Sequence, residues 1–368
     1  PLSGFFKRFA TFGCFFRLYE KGRRECPVPH KPLLTVYSLS HALVDFSCAF
    51  LVYRTMLDAP ELGLCLLLYN FCAFALQMPF GLLVDGWNRN GLTAAAGCAL
   101  VACAYLPVLP ALAASVTAGI GNGLFHVGGG LDVLNDSRER AAALGIFVSP
   151  GALGLYFGGI LGREGQLLTW IPVVLLLLAA LAILLAARRT YGSLSSGNAP
   201  VDLSLPSGSW RLAALLTAVV VLRSYMGFNQ TLPWKGEGHW ALIVTLALVL
   251  GKAAGGFLCD AMGPRRATVL SLGVAAVCYL FAPVSVLGTA AVFLFNMTMP
   301  ITLWAAARLI PGAKGFAFGL LTFALFLGFL PTWLGWPSVL IQPWAMALTA
   351  LVSAILLLLG LKGEKEKC

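Results

Sequence analysis

Apolar runs of about twenty residues, each broken by glycine, proline or charge, recur along almost the whole chain. A run of that length is what a helix needs to cross the hydrocarbon core of a bilayer. The pattern predicts twelve helical spans, at 33–57, 61–84, 91–111, 113–133, 140–162 and 167–187, then 210–231, 239–259, 265–285, 287–308, 314–333 and 340–361. One long polar stretch, Thr190 to Ser209, interrupts the series and has the serine, glycine and proline of a flexible linker. It divides the spans six and six. The predicted organisation is a basic segment at 1–32, a six-helix bundle at 33–188, a cytoplasmic linker at 189–209, a second bundle at 210–361 and a charged tail at 362–368.

Composition agrees with lipid as the main solvent. Of 368 residues 59% are apolar and 11% charged, with a mean hydropathy of +0.86, against about 45–50% and about 25% in soluble proteins. Too few charges are present to cover an aqueous surface, which excludes an ordinary soluble enzyme, a disordered chain and a nucleic-acid-binding domain. The net charge of +10 is a matter of loops. With both termini cytoplasmic, twenty of the twenty-five Lys and Arg fall on the cytoplasmic side. Only Arg54, Arg163 and Lys235 fall opposite, and Arg223 and Lys252 lie within spans. That asymmetry predicts a multi-pass protein of the cell (inner) membrane with both termini inside. The first 30 residues are basic and aromatic, their apolar stretch cut by charge, and read as a surface-lying amphipathic segment or a tail. Most of the ten cysteines lie inside apolar spans, with no CxxC pair and no Cys/His spacing suited to a metal. Neither a metal nor a cofactor is expected, and no HExxH, GxSxG or paired-carboxylate pattern points to an enzyme.

The most informative feature is an internal repeat. The end of span 2 reads GLLVDGWNRNG (Gly81–Gly91) and the end of span 8 reads GFLCDAMGPRR (Gly256–Arg266), placing Asp85 and Asp260 at equivalent points of the two halves. Glycine lets two helices approach closely. An Asp at a helix end can accept from backbone N–H groups or from Arg, forming a conformational latch of Gly81, Asp85 and Arg89 in one half and Gly256, Asp260, Gly263, Arg265 and Arg266 in the other. This pair resembles the loop signature of the major facilitator superfamily, with Gly86, Asn88 and Ala261 as departures from it. The segments SHALVD (Ser40–Asp45), GIGNGLFHVGGG (Gly119–Gly130) and LRSYMGF (Leu222–Phe228) resemble the fosmidomycin-resistance branch of proton-driven exporters. The resemblance implies an all-α polytopic membrane fold of twelve transmembrane helices in two pseudo-symmetric six-helix bundles, with spans 1, 4, 7 and 10 around a central cavity. Span 5 has glycine spacing like that of drug antiporters, for which close helix packing is an equal explanation.

Ionisable groups at membrane depth are costly and usually face a polar cavity. His41 and Asp45 lie four apart on span 1, and Asn122 and His126 four apart on span 4. Histidine titrates near neutral pH, so His41, Asp45 and His126 are the candidates for proton coupling. Arg223 on span 7, with Lys252, Asn122, Gln77, Tyr225 and Asn296, forms the candidate solute site. Lys252 and Gln77 occupy equivalent positions of the repeat. A cationic pair points to an anionic solute group, because the Arg fork suits oxyanions. Asp45 is also a candidate ion-pair partner for Arg223, and Lys252 could instead snorkel to the interface. Phe46, Tyr156, Phe228 and Trp304 could stack on a solute ring or simply pack. The expected function is proton-coupled secondary transport of a small organic, anionic or amphiphilic solute by alternating access, with efflux by antiport ahead of uptake by symport. A transport-inactive sensor or scaffold of the same fold stays open. The expected partners are solute, protons and lipid, with no nucleic acid, and the expected state is a monomer.

Overall fold

The computed structural model describes residues 31–137, 140–194, 201–204, 206 and 208–362, so the basic N-terminal segment and most of the charged tail lie outside the described residues. The described chain is all α-helical in its regular structure. The first half holds α1 Pro32–Met56, α2 Leu62–Trp87, α3 Asn90–Cys103, α4 Ala111–Asp136, α5 Ala141–Glu164 and α6 Trp170–Leu194. The second holds α7 Ser209–Asn229, α8 Trp240–Met262, α9 Pro264–Leu280, α10 Ser285–Leu309, α11 Lys314–Trp333 and α12 Pro343–Gly360. Nine of these are long and apolar enough to cross a membrane by length and composition. The others are α3 and α9, with 14 and 17 residues, and the polar-rich α4. The protein is an integral multi-pass membrane protein.

Three predicted boundaries moved for identifiable reasons. The third span was expected to reach residue 111, but its helix stops at Cys103 ahead of Pro107 and Pro110, which disfavour a helical residue before them. Helix α4 runs past residue 133 to Asp136, and α6 runs past 187 to Leu194. The part of the linker that is described is docked to the bundle: Asp202 N–H donates to Gly312 O at 3.1 Å, and Val201 packs beside Gly86. A wholly free linker is therefore corrected at residues 201–204.

Packing repeats with a shift of six helices. In the first half α1 packs on α5 and α6, α3 on α4 and α6, and α2 on α4; in the second α7 packs on α11 and α12, α9 on α10 and α12, and α8 on α10. The halves meet where α2 lies along α11 and α5 lies against α8, again an exchange of equivalent helices. Glycine makes these seams possible: a Cβ at Gly81 would collide with the Gly315 backbone, and one at Gly256 with the Ala141–Ala142 backbone. Gly154 and Gly158 of α5 likewise face the backbone of α1 at Ala42 and Phe46, so the span 5 glycines serve helix packing. Outward, α6 exposes Leu175, Leu177, Leu178, Leu181 and Leu185, an apolar face suited to lipid tails.

Four of the described helices are irregular. Helix α1 ends in a π-helical turn at Val52–Met56, α2 contains one at Phe71–Ala75, α10 is interrupted at Met297, and α5 breaks at Ser149 and Pro150. Proline has no N–H and clashes with the preceding turn, which accounts for the last of these.

Candidate solute and coupling-ion site

The first half gathers three of the predicted residues into one contact. His41 Nε2 lies 3.2 Å from Asp45 Oδ2, and His126 Nε2 lies 3.8 Å from Asp45 Oδ1. The two imidazoles face each other with their Nε2 atoms 2.9 Å apart. Asn122 Nδ2 donates to Asp45 Oδ1 at 3.1 Å, so Asn122, expected among the solute ligands, holds the carboxylate. Helical spacing explains half of this arrangement and the packing of α4 against α1 the other half.

The tautomers follow from the partners. His41 Nδ1 lies 2.7 Å from Phe147 O, and His126 Nδ1 lies 2.8 Å from Asn122 O. A carbonyl oxygen can only accept, so each Nδ1 carries a hydrogen. Each neutral ring then presents a lone pair at Nε2. Two lone pairs and a carboxylate converge on one spot, an arrangement that calls for a proton or another cation between them. No metal was expected from sequence spacing, yet His41, Asp45 and His126 place possible ligand atoms within 4.8 Å of one another. The histidines stand 85 positions apart in sequence and meet only through the fold, which spacing alone does not reveal.

The second half supplies positive charge. Arg223 is buried on α7 and its Nη1 donates to Thr302 Oγ1 on α10 at 3.2 Å. Lys252 Nζ on α8 donates to Val148 O at 3.2 Å, reaching the turn of α5 just before its break. The carbonyls of Phe147 and Val148 thus orient His41 and Lys252 from the same turn. Among the described residues, neither cation is within ion-pair distance of a carboxylate. The alternative of an Asp45–Arg223 ion pair is therefore not formed; Asp45 is engaged by Asn122 and the two histidines instead. Lys252 is held by α5 inside the bundle, which replaces the snorkelling alternative.

Other predicted residues stand apart from this group. Gln77 is fully buried, donates to Ala73 O of its own helix, and packs between Gly123 of α4 and Gly319 of α11. Asn296 donates to Val292 O of its own helix at 2.8 Å. Tyr225 is half-buried against the core, Phe228 pairs with Phe329, and Trp304 lies under the Arg308 guanidinium. Phe46 stacks on Phe50, and Tyr156 packs edge-on to Phe157. Helix α4 also carries buried Asp132, near the end of the predicted fourth span, which accepts from Tyr37 Oη of α1 and from Asn90 Nδ2 of α3 at 2.8 Å. Tyr37 sits one turn before His41, the signal that would have exposed this second polar contact between α1 and α4.

The two Gly-Asp turns each tie one half to the other. Asp85, at the end of α2, accepts from Gly315 N and Phe316 N at 2.8 and 2.9 Å, the first turn of α11. Asp260, at the end of α8, accepts from Ala141 N and Ala142 N at 2.8 and 3.1 Å, the first turn of α5. Both carboxylates therefore cap a helix of the opposite half, where unsatisfied N–H groups and the helix dipole favour an anion. Of the basic residues, Arg265 donates to Leu361 O at 3.2 Å within its own half. Gly263 adopts φ 85° at the start of α9, a conformation glycine takes without penalty.

No family model matches the chain, and none of the curated proteins does. Solved structures do. The chain is similar to the major facilitator superfamily transporter FucP in its outward conformation, with a TM-score of 0.66, 14% identity, and 90% of this chain and 97% of that one covered. It is similar to a variant of the Escherichia coli fucose:proton symporter FucP, with a TM-score of 0.61 and 14% identity over the same shares. It is also similar to the human organic anion transporter MFSD10 (TETRAN), with a TM-score of 0.66, 16% identity, and 90% and 100% covered. The fold is the twelve-helix major facilitator fold.

Proposed function

We propose that the protein is a proton-coupled secondary transporter of a small organic anion or amphiphile, working by alternating access of two halves, 33–188 and 210–361. The observation that carries this reading is the pair of interior cations, buried Arg223 and half-buried Lys252, which donate to a threonine hydroxyl and a backbone carbonyl. A charge at membrane depth costs several kcal/mol when its compensation is this weak. An anionic solute supplies the missing charge. Protons enter the cycle at His41, Asp45 and His126, where facing lone pairs need one. With both termini on the cytoplasmic side, as the loop charges predict, the end that carries the two Gly-Asp turns is the cytoplasmic one. Export in exchange for protons is the proposed direction, in line with the resemblance of spans 1, 4 and 7 to fosmidomycin-resistance exporters.

The test is counterflow and pH-gradient-driven transport in proteoliposomes, using a panel of organic phosphonates, phosphates and carboxylates beside neutral analogues. Wild type should accumulate anions over neutral analogues. Arg223→Gln should lose that preference, and Arg223→Lys should bind more weakly because the planar fork is gone though the charge remains. Absence of any anion preference in wild type would refute the solute assignment.

A further inference from the structure

We propose that His41, Asp45 and His126 form a binding site for a divalent transition-metal ion of the zinc class. The reading deepens the proposed coupling role of these three side chains, and its test involves neither gradient nor solute. Its basis is geometric. Zinc bonds of about 2.0–2.1 Å in tetrahedral arrangement set neighbouring ligand atoms about 3.3 Å apart. The two imidazole Nε2 atoms are 2.9 Å apart, Asp45 Oδ2 lies 3.2 Å from His41 Nε2 and Asp45 Oδ1 lies 3.8 Å from His126 Nε2. One ligand atom from each residue lies within 4.8 Å of the other two, so side-chain rotation brings all three onto one ion. Two imidazoles and one carboxylate suit zinc, cobalt or iron far better than magnesium or calcium, which favour oxygen alone.

The surroundings have the form of an outer ligand shell. A metal-bound imidazole characteristically donates its other ring N–H to a carbonyl or carboxylate, which fixes the tautomer and turns the lone pair toward the ion. Both rings do this, His41 to Phe147 O and His126 to Asn122 O. The carboxylate is itself held by Asn122 Nδ2. The neighbouring α5 residue is Gly151, packed so closely that a Cβ there would collide with both Asp45 Oδ2 and His41 Nε2, so these ligand atoms are held against a backbone that has no side chain to displace them. The site is not sealed, since the His126 and Asp45 side chains keep 11% and 12% of their surface open. Three protein ligands leave a fourth position for water or a solute oxygen. The opposing contribution is Lys252, whose positive charge acts on Asp45 from α8 and weakens the hold on a second cation.

The experiment is titration of the purified full-length protein in detergent with Co2+, followed by visible absorption, and with Zn2+, followed by calorimetry. One ion per chain is expected, with the d–d spectrum of a four-coordinate nitrogen and oxygen site. His41→Gln and His126→Gln should each weaken Co2+ binding by roughly 100-fold or more, and Asn122→Ala by about 10-fold as an outer partner. Lys252→Gln should tighten it several-fold. His126→Cys guards against loss of fold, because it should retain Co2+ and add a near-ultraviolet thiolate band that wild type lacks. No saturable Co2+ binding by wild type, wild-type binding in both Gln variants, or Co2+ bound by His126→Cys without that band would each overturn the proposal. Since no gradient or solute is involved, such a failure would leave the transport reading untouched.

Discussion

Asp85 and Asp260 make the same contact in the two halves, each capping the first turn of a helix in the opposite half. The interiors of those halves do not correspond at all. Helices α1 and α4 present two imidazoles and a carboxylate converging on a shared point. Helices α7 and α8 present a guanidinium and an ammonium held by neutral oxygens. Closing one end of a rocking pair is a task both halves share, and the repeat retains it. In the proposed cycle, holding a coupling ion and holding a solute are different tasks, one assigned to each half. The seams carry a lesser asymmetry, with glycine on glycine at Gly81 and Gly315 but glycine on alanine at Gly256 and Ala141.

Three perturbations break or sharpen this contrast. The largest effect is expected from Asp45→Asn, which should reduce gradient-driven transport by at least about 100-fold while leaving counterflow near wild type, because exchange needs solute binding without net proton movement. Retained gradient-driven transport would take the coupling role away from the first half. Next come Asp85→Asn and Asp260→Asn. Each loses charge-assisted bonds to a helix N-terminus, and together with the dipole these are worth about 1.5–3 kcal/mol. Spin-label distances across the latched end should lengthen in both. Asp85→Asn should have the larger effect, since Asp85 is buried and Asp260 only partly so; a reversed order would show that burial does not set the latch strength. The smallest effect is expected from Asp202→Pro, which removes the N–H bonded to Gly312 O together with the exposed local bonds from Ser204 to the Asp202 carboxylate. One exposed backbone bond contributes about 0.5–1.5 kcal/mol, so the same distances should broaden slightly. A shift as large as that of Asp85→Asn would make the docked linker a principal part of the closure.

Much of this was legible before folding. The lengths of the apolar runs placed twelve helices, because a bilayer sets a minimum length for any crossing segment. Errors fell where chemistry at the ends outweighs hydropathy, as at Pro107 and Pro110 after α3 and in the polar turn that prolongs α4 to Asp136. Four-residue spacing paired His41 with Asp45 and Asn122 with His126, since such residues share a helical face. The repeat marked Asp85 and Asp260 as equivalent.

What spacing could not reveal was which polar groups meet. His41 and His126 approach to 2.9 Å, and Asp85 reaches Gly315, 230 positions away, only because helices pack side by side in an order that no local pattern encodes. The same packing withdrew Asp45 from Arg223, sent Gln77 into the seam between α2 and α11, and joined Tyr37 to Asp132. The chain alone determined how many helices cross the membrane, where they turn and which carry costly polar groups, because those depend on solvent transfer along one helix at a time. The tertiary structure decided the partners of those groups, because a buried polar side chain must find its complement on whichever neighbouring helix the packing brings within hydrogen-bonding distance.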